Sequence, residues 1–278
     1  MFTGLFRNRY ALFFLFIASG FLILLPALIN IKTQSIFEVP LALIFIILSL
    51  LAKKSKNADF RKLWEIFFSF FVFDLVILLS TLATTIAGQY SQILVPFVDF
   101  IMTVIPILIL LRLAGIPLSS IYLRKGRLKQ GLIVGFVCFV ILLVGILIAF
   151  NFLLVPTVKG LTFAKMLTLM PTVLVLAFLN APKEELLFRG LFLKKYEPIL
   201  GKKLSIFAQA PLFVLFHYVP QYTSLGITFV VSFLAVVFVA SLGWAYLMQK
   251  TDSIIGSSLS HAGADIGIYL PILLGILH

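Results

Sequence analysis

Long apolar segments, separated by short clusters of basic residues, occupy almost the whole of this 278-residue chain. A helix needs roughly 17–25 predominantly apolar residues to cross the ~30 Å hydrocarbon core of a bilayer. The sequence predicts nine such spans, near 11–30, 36–52, 64–87, 92–113, 131–154, 163–193, 204–218, 225–248 and 254–277. Eight spans are the alternative, with the short segment 36–52 re-entrant. We therefore expect an all-α, polytopic transmembrane helix bundle.

The composition supports this fold class and excludes others. Hydrophobic residues make up 62% of the chain and charged residues 12%, whereas soluble domains have about 45–50% and about 25%. The apolar segments leave no stretch long enough for a soluble domain. The single cysteine, Cys138, lies inside an apolar segment, so the chain has no intramolecular disulfide framework and no thiol metal site.

The basic residues predict the orientation of the chain. The net charge is +12, but the Lys and Arg residues are clustered between apolar segments rather than gathered on a nucleic-acid-binding surface. Every second connection holds most of them, whereas the intervening connections hold only Lys32, Lys159 and Lys165. Because cytoplasmic loops carry the excess of Lys and Arg, we expect a cytoplasmic N-terminus in the cell membrane. With nine spans, the C-terminus lies outside.

One connection has an amphipathic character of its own. Residues 115–130 combine apolar side chains with Arg124, Lys125, Arg127 and Lys129. Basic amphipathic segments lie at the membrane surface and are attracted to anionic lipid head groups. We expect the bilayer, and not nucleic acid, to be the partner of this segment.

The most unusual segment is 180–190, which places three ionisable residues within an apolar region. A charged side chain in a spanning helix costs at least ~2.5–3.5 kcal/mol and is usually paired and functional. Glu185 and Arg189 are spaced i and i+4, so they can pair along one helix face. This pairing would leave Glu184 as the carboxylate available for chemistry. Pro182 predicts a kink just before it, because proline lacks a backbone donor.

Two further polar pairs lie inside predicted spans. Phe213 and His217 are spaced i and i+4, and so are His261 and Asp265. Counting ~1.5 Å per helical residue from the nearest cytoplasmic charge places Glu184, His217 and His261 at ~15, ~21 and ~14 Å depth. Half of a ~30 Å hydrocarbon core is ~15 Å. The spacing therefore predicts one shared site near the middle of the membrane.

These residue types indicate hydrolysis by an activated water molecule. A carboxylate beside an imidazole is a general-base pair, and a second imidazole can stabilise an oxyanion. The chain contains no Gly-x-Ser-x-Gly, no His-Glu-x-x-His and no phosphate-binding glycine loop, so serine, zincin-type and ATP-driven enzymes lack their motifs. Each pair alone could instead be a structural ion pair or interhelical hydrogen bond.

Taken in order, the three motifs resemble those of the CPBP family, the CAAX protease and bacteriocin-processing (Abi) proteins. The matching residues are Glu184-Glu185-x-x-x-Arg189, Phe213-x-x-x-His217 and His261-x-x-x-Asp265. The resemblance covers roughly residues 125–270. It predicts N-terminal spans over 1–124 and a protease-like core over 125–278.

The resemblance implies a glutamate-dependent intramembrane endopeptidase acting on a membrane-associated peptide, either prenylated or carrying a leader. Glu184 is then the base and His217 its partner, and His261 with Asp265 forms the oxyanion site. Glu185, Arg189 and Phe213 are supporting residues. Asp265 departs from the asparagine usual in the eukaryotic CAAX-processing branch, which favours the broader bacterial branch.

Three alternatives remain open at this stage. We expect no cofactor, but a carboxylate and two imidazoles also suit zinc, with Glu184, His217 and His261 as the ligands. The chain could be a catalytically silent scaffold, regulator or bacteriocin-immunity protein on the same fold. A proton-coupled transporter would also use intramembrane acids, although the paired broken helices of a transporter repeat are not visible.

Overall fold

The structure, a computed structural model, describes residues 5–29, 31–91, 94–153, 163–218 and 226–273. Its helices are α1 (Arg9–Ile29), α2 (Ile31–Lys54), α3 (Ala58–Arg61), α4 (Trp64–Tyr90), α5 (Val95–Leu113), α6 (Leu128–Leu153), α7 (Phe163–Glu184), α8 (Leu193–Phe216), α9 (Ile227–Thr251) and α10 (Ile255–Leu273). Two three-ten turns, Leu5–Arg7 and Leu118–Ile121, and a π-helical turn, Glu185–Gly190, complete the described elements. These residues form no strand, which confirms the all-α prediction.

Eight helical segments of the described chain are long and apolar enough to cross a membrane, which confirms a polytopic membrane protein. Predicted segment 36–52 belongs to the 24-residue α2, about 36 Å long at 1.5 Å per residue, so it is one of the eight. The predicted span 254–277 contains α10, which is not among the eight because its serines, His261 and Asp265 lower its hydropathy. Lys159, the predicted connection 219–224 and the end of predicted span 254–277 lie outside the described residues.

The predicted span 163–193 is interrupted by a change of helix type. Helix α7 continues through Pro182 to Glu184, and the π-helical turn begins at the next residue. Its signature is the hydrogen bond from the Leu191 N–H to the Leu186 carbonyl, five residues back, at 3.1 Å. Such turns are rare and occur often at functional sites. The change of helix type thus begins at Glu185, and α7 itself is continuous through Pro182, where the sequence predicted a kink.

The chain divides into two compact units. Unit one comprises Met1–Leu123 and Leu186–Tyr246, and unit two comprises Arg124–Glu185 and Leu247–His278. The predicted division into N-terminal spans over 1–124 and a protease-like core over 125–278 stays a prediction.

Within unit one, α2 packs on α4, α4 on α5, and α1 on both α2 and α8. Its centre is aromatic, with ring contacts among Phe16, Phe70, Phe73, Phe192 and Tyr196. Asp99 of α5 accepts a hydrogen bond from the hydroxyl of Ser80 in α4, so this carboxyl joins two helices. Helix α8 breaks at Gly201, whose φ of 78° suits a residue without Cβ. The predicted span 204–218 corresponds to the part after this break.

Within unit two, α10 packs closely against α6 through glycines. A Cβ built on Gly135 would lie 2.6 Å from the Gly256 carbonyl oxygen, and one on Gly263 would lie 2.4 Å from that of Phe139. Small residues allow this backbone approach in membrane helices, where van der Waals packing drives association. On its other side, α10 packs on α7 through a buried cluster of Val173, Ala177, Ala181, Ala262, Ile266 and Leu270.

The beginning of α10 is tied to the beginning of α6 by the intervening turns. The Arg127 N–H donates to the Thr251 carbonyl at 2.7 Å, and the Ser253 hydroxyl donates to the Arg124 carbonyl at 2.8 Å. Arg124 also pairs with Asp252 at 3.0 Å. These contacts set the height of α10, and with it the position of His261, relative to α6.

Candidate active site

Four of the predicted site residues meet inside unit two. Glu184 ends α7, Glu185 begins the π-helical turn, and His261 and Asp265 lie one turn apart on α10. All four are buried, with exposures of 4%, 0%, 1% and 6% in that order. The small alanines between α7 and α10 let the two helices approach closely enough for these side chains to touch.

The imidazole of His261 is the centre of this group. Its Nδ1 lies 2.9 Å from Glu185 Oε1, and its Nε2 lies 3.6 Å from Glu184 Oε2 and 3.5 Å from Asp265 Oδ1. An ionised carboxylate only accepts hydrogen bonds, so the contact with Glu185 places a proton on Nδ1. Nε2 is then the ring nitrogen that faces the other two carboxyl groups. Glu184 and His261 are therefore a carboxylate and an imidazole in close contact, whereas the sequence predicted His217 as the partner of Glu184.

Asn180 completes the group, although the sequence did not single it out. Its side-chain Nδ2 donates to Asp265 Oδ2 at 3.2 Å. Asn180 precedes Glu184 by four residues, so both lie on one face of α7. An amide one turn from a candidate base in an apolar helix was the available sequence signal. By engaging Oδ2, Asn180 leaves Oδ1 of Asp265 directed at His261.

The other three predicted residues form a separate cluster in unit one. The Arg189 guanidinium carbon lies 3.9 Å from the ring centre of Phe213, and the rings of Phe213 and His217 are 4.2 Å apart. Arg189 is fully buried, lies 5.3 Å from the Trp244 ring and donates from Nη2 to the hydroxyl of Ser241 at 2.8 Å. The spacing Phe213-x-x-x-His217 therefore produces the predicted shared face. Ser241 is a partner that the sequence did not indicate.

The hydrogen bonding of His217 determines its tautomer. Its Nδ1 lies 2.9 Å from the Phe213 carbonyl oxygen, which can only accept, so Nδ1 donates. In the neutral ring Nε2 is then the nitrogen that can take up a proton. The partnership predicted between His217 and Glu184 stays a prediction, as does the pairing of Glu185 with Arg189. The contacts described here are those of Glu185 with His261 and of Arg189 with Ser241.

The donor set does not suit a resident metal ion. Among the described residues, no group of three or more His, Cys, Asp or Glu side chains is arranged to hold one. The described residues therefore do not support a catalytic zinc ion.

The arrangement can instead activate water. Glu184 Oε2 and His261 Nε2 are 3.6 Å apart, a separation at which one water oxygen can lie about 2.8 Å from each. In a buried site, a carboxylate that takes a proton from this water acts as a general base. Glu185 and Asn180 supply the second layer of contacts that orients the reacting groups.

Comparison with known families agrees with these motifs. Residues 166–267 match the model of the family described as type II CAAX prenyl endopeptidase Rce1-like, which confirms the resemblance found in the sequence. All seven motif residues, from Glu184 to Asp265, fall inside the matched region. The match supports a general function as an intramembrane protease of the CAAX type. No curated protein and no solved structure gives a significant match to the chain.

Proposed function

We propose that this multi-pass membrane protein, whose residues 166–267 match the Rce1-like endopeptidases, is an intramembrane endopeptidase that uses an activated water molecule. The observation that carries the proposal is the burial of Glu184 next to the imidazole of His261, whose far nitrogen contacts Glu185. A structural ion pair needs one carboxylate for one cation. Here three carboxyl groups surround a single imidazole, and this arrangement suits proton transfer.

In the proposed reaction, water lies between Glu184 Oε2 and His261 Nε2. Glu184 accepts one proton while the water oxygen forms a bond to the scissile carbonyl carbon, giving a tetrahedral oxyanion. The carbon–nitrogen bond then breaks, and the proton held by Glu184 passes to the leaving amine. One peptide bond and one water are consumed, and one carboxylic acid and one amine are produced.

The remaining residues have positioning roles in this proposal. Glu185 holds the His261 ring through Nδ1, and Asn180 holds the carboxyl group of Asp265. His261 with Asp265 is the proposed oxyanion site, as the family resemblance implies; in this role His261 also carries a proton on Nε2, which donates to the oxyanion. His217, whose Nε2 can take up a proton, is the proposed second imidazole of the reaction.

The substrate that fits this setting is a membrane-associated peptide. Glu184 lies in a segment long and apolar enough to cross a membrane, which supports a substrate held in the bilayer. A prenyl group or a hydrophobic leader would supply that attachment. The proposed location is the cell membrane, with a cytoplasmic N-terminus as the distribution of Lys and Arg predicts.

The test is cleavage of membrane-anchored and prenylated peptides by the purified protein, with products identified by mass spectrometry. We expect Glu184→Gln to abolish cleavage while the protein still inserts and accumulates, since glutamine keeps the shape but cannot accept the proton. His217→Ala should lower the rate strongly if its ring takes part. Asp99→Asn, which alters a membrane carboxyl group in unit one, is the control and should cleave normally.

The same assay separates the proposal from its rivals. Undiminished turnover by Glu184→Gln would remove the general-base role. Absence of cleavage by the wild-type protein across the library would favour a catalytically silent scaffold or regulator.

A further inference from the structure

Unit one contains a basic cavity that none of the predicted motif residues lines. A cavity of about 490 Å³ opens between the start of α4, the three-ten turn Leu118–Ile121 and the start of α8. Its polar lining consists of Arg61, Lys62, Glu65, Ser120, Lys194 and Lys195. Four of these six side chains are cationic and one is anionic, so the cavity favours an anionic ligand.

Two hydrogen-bond donors that line this cavity are buried. Lys195 is 7% exposed, and its Nζ makes no hydrogen bond within the described residues. The same holds for the hydroxyl of Ser120, which lines the same cavity. Burying a polar group without a hydrogen bond is costly, and the cost is larger for a charge. A ligand that accepts hydrogen bonds from both groups would remove this cost.

The position of the lysines at the start of a helix also favours an anionic ligand. Lys194 and Lys195 lie in the first turn of α8, which contains no acidic residue. The N-terminus of a helix carries partial positive charge and normally attracts acidic side chains or anions. Lys194 is held there by donating to the Ser119 carbonyl at 3.0 Å. The Glu65 carboxyl group interacts electrostatically with the Lys195 ammonium. It is the one acidic side chain among the described residues that line the cavity, against four cationic ones.

The rest of the lining is apolar and typical of a membrane interface. Trp64, Ile66, Pro198 and Ile199 complete the cavity. Tryptophan is enriched where the bilayer meets water, and Lys53 places its ammonium 4.5 Å from the centre of the Trp64 ring. A ligand with a phosphate at one end and an acyl chain at the other matches both parts of this lining.

We propose that this cavity binds the phosphate group of an anionic membrane phospholipid, with Lys195 and Ser120 as the buried donors and Arg61, Lys62 and Lys194 around them. Basic pockets between membrane helices bind anionic lipid head groups in this way. The site does not depend on proteolysis.

The test measures thermal unfolding of the full-length protein in nanodiscs of phosphatidylcholine alone and with added phosphatidylglycerol. Ligand binding to the folded state raises the unfolding temperature, so phosphatidylglycerol should stabilise the wild-type protein. Lys195→Met, which keeps the length of the side chain without its charge, should weaken the apparent lipid affinity on the order of tenfold. Arg61→Gln combined with Lys62→Gln removes the two exposed charges at the edge of the cavity and leaves the buried donors Lys195 and Ser120 unchanged.

The control removes two charges from an exposed basic segment that does not line the cavity, by Lys202→Gln with Lys203→Gln. It should retain the full lipid effect. Equal losses in control and cavity variants would show general surface attraction and would overturn the proposal. Equal stabilisation by inorganic phosphate would overturn the lipid assignment, and so would stabilisation by a peptide with a terminal carboxylate but not by its amide.

Discussion

Glu185 Oε1 lies 2.9 Å from His261 Nδ1, a contact between residues 76 positions apart. It joins the first residue after α7 to the middle of α10 and fixes the direction of the imidazole. This contact gives Glu185 an orienting role in addition to its predicted pairing with Arg189. Nε2 of the same ring lies toward Glu184.

Glu185→Leu should reduce kcat on the order of 10–100-fold, because a hydrogen bond to a charged group contributes about 1.5–3 kcal/mol. Glu185→Gln should lose less, since its amide oxygen still accepts from Nδ1–H. Separate measurement of kcat and KM checks this, because an orienting residue affects kcat more than substrate binding. Equal loss in the two variants would contradict the orienting role.

Asp265→Asn should keep most of the activity, whereas His261→Ala should not. In the substituted side chain the oxygen can still accept from Asn180, and the amide nitrogen supplies a donor for the oxyanion beside His261 Nε2. The measurement is the cleavage rate of both variants at matched protein concentration. A loss with Asp265→Asn as deep as that with His261→Ala would show that an ionised carboxylate is required, as in a metal site or a proton relay.

Gly263→Ala should lower both thermal stability and activity. The added Cβ would lie 2.4 Å from the Phe139 carbonyl oxygen, so α10 must move away from α6 and carry His261 with it. Overpacking of this kind costs typically 1–3 kcal/mol. Gly145→Ala in α6 is the matched control, because nothing lies within 4 Å of its Cβ. Unfolding curves of the two variants test the contact, and equal stability would refute it.

Arg189→Ala should reduce the yield of folded protein. The guanidinium packs on Phe213 and donates to Ser241 inside unit one. A desolvated cation–π contact contributes about 2 kcal/mol, and the hydrogen bond adds to it. Arg112→Ala, at the exposed end of α5, removes the same charge and should accumulate normally. Thermal unfolding in detergent gives the comparison, and identical curves for both variants would exclude a structural role for Arg189.

Activity should persist in the presence of a strong chelator. The basis is the lack of a suitable ligand group among the described residues. Metal analysis of the purified protein and chelation before the cleavage assay provide the measurement. Stoichiometric zinc, with activity lost on chelation and recovered on adding zinc, would reverse this expectation.

Local spacing explains why much of the fold and site could be predicted. The length of the apolar segments predicted the membrane helices, because crossing ~30 Å of hydrocarbon requires a minimum run. The spacing of Phe213 with His217 and of His261 with Asp265 predicted shared helix faces, because helix geometry is set within four residues. Those two pairs are in contact in the structure.

Local spacing did not reveal how the helices approach one another. Gly131 and Gly135 of α6, and Gly263 and Gly267 of α10, are visible as small-residue repeats in the sequence. Only the packing shows that they face each other's helices. Likewise, Gly201 could be a tolerated helical glycine, and its left-handed φ is seen only in the structure.

The sequence by itself determined the membrane class, the motif residues and the clustering of ionisable groups in 180–190, because hydropathy and helical periodicity are local properties. Only the tertiary structure decided that Glu185 contacts Nδ1 of His261, and that Glu184 and Asp265 both lie close to Nε2 of the same ring. The physical reason is that helix packing brings these residues together across long stretches of chain. Packing depends on which small residues allow two backbones to meet, and spacing along one helix carries no information about the other.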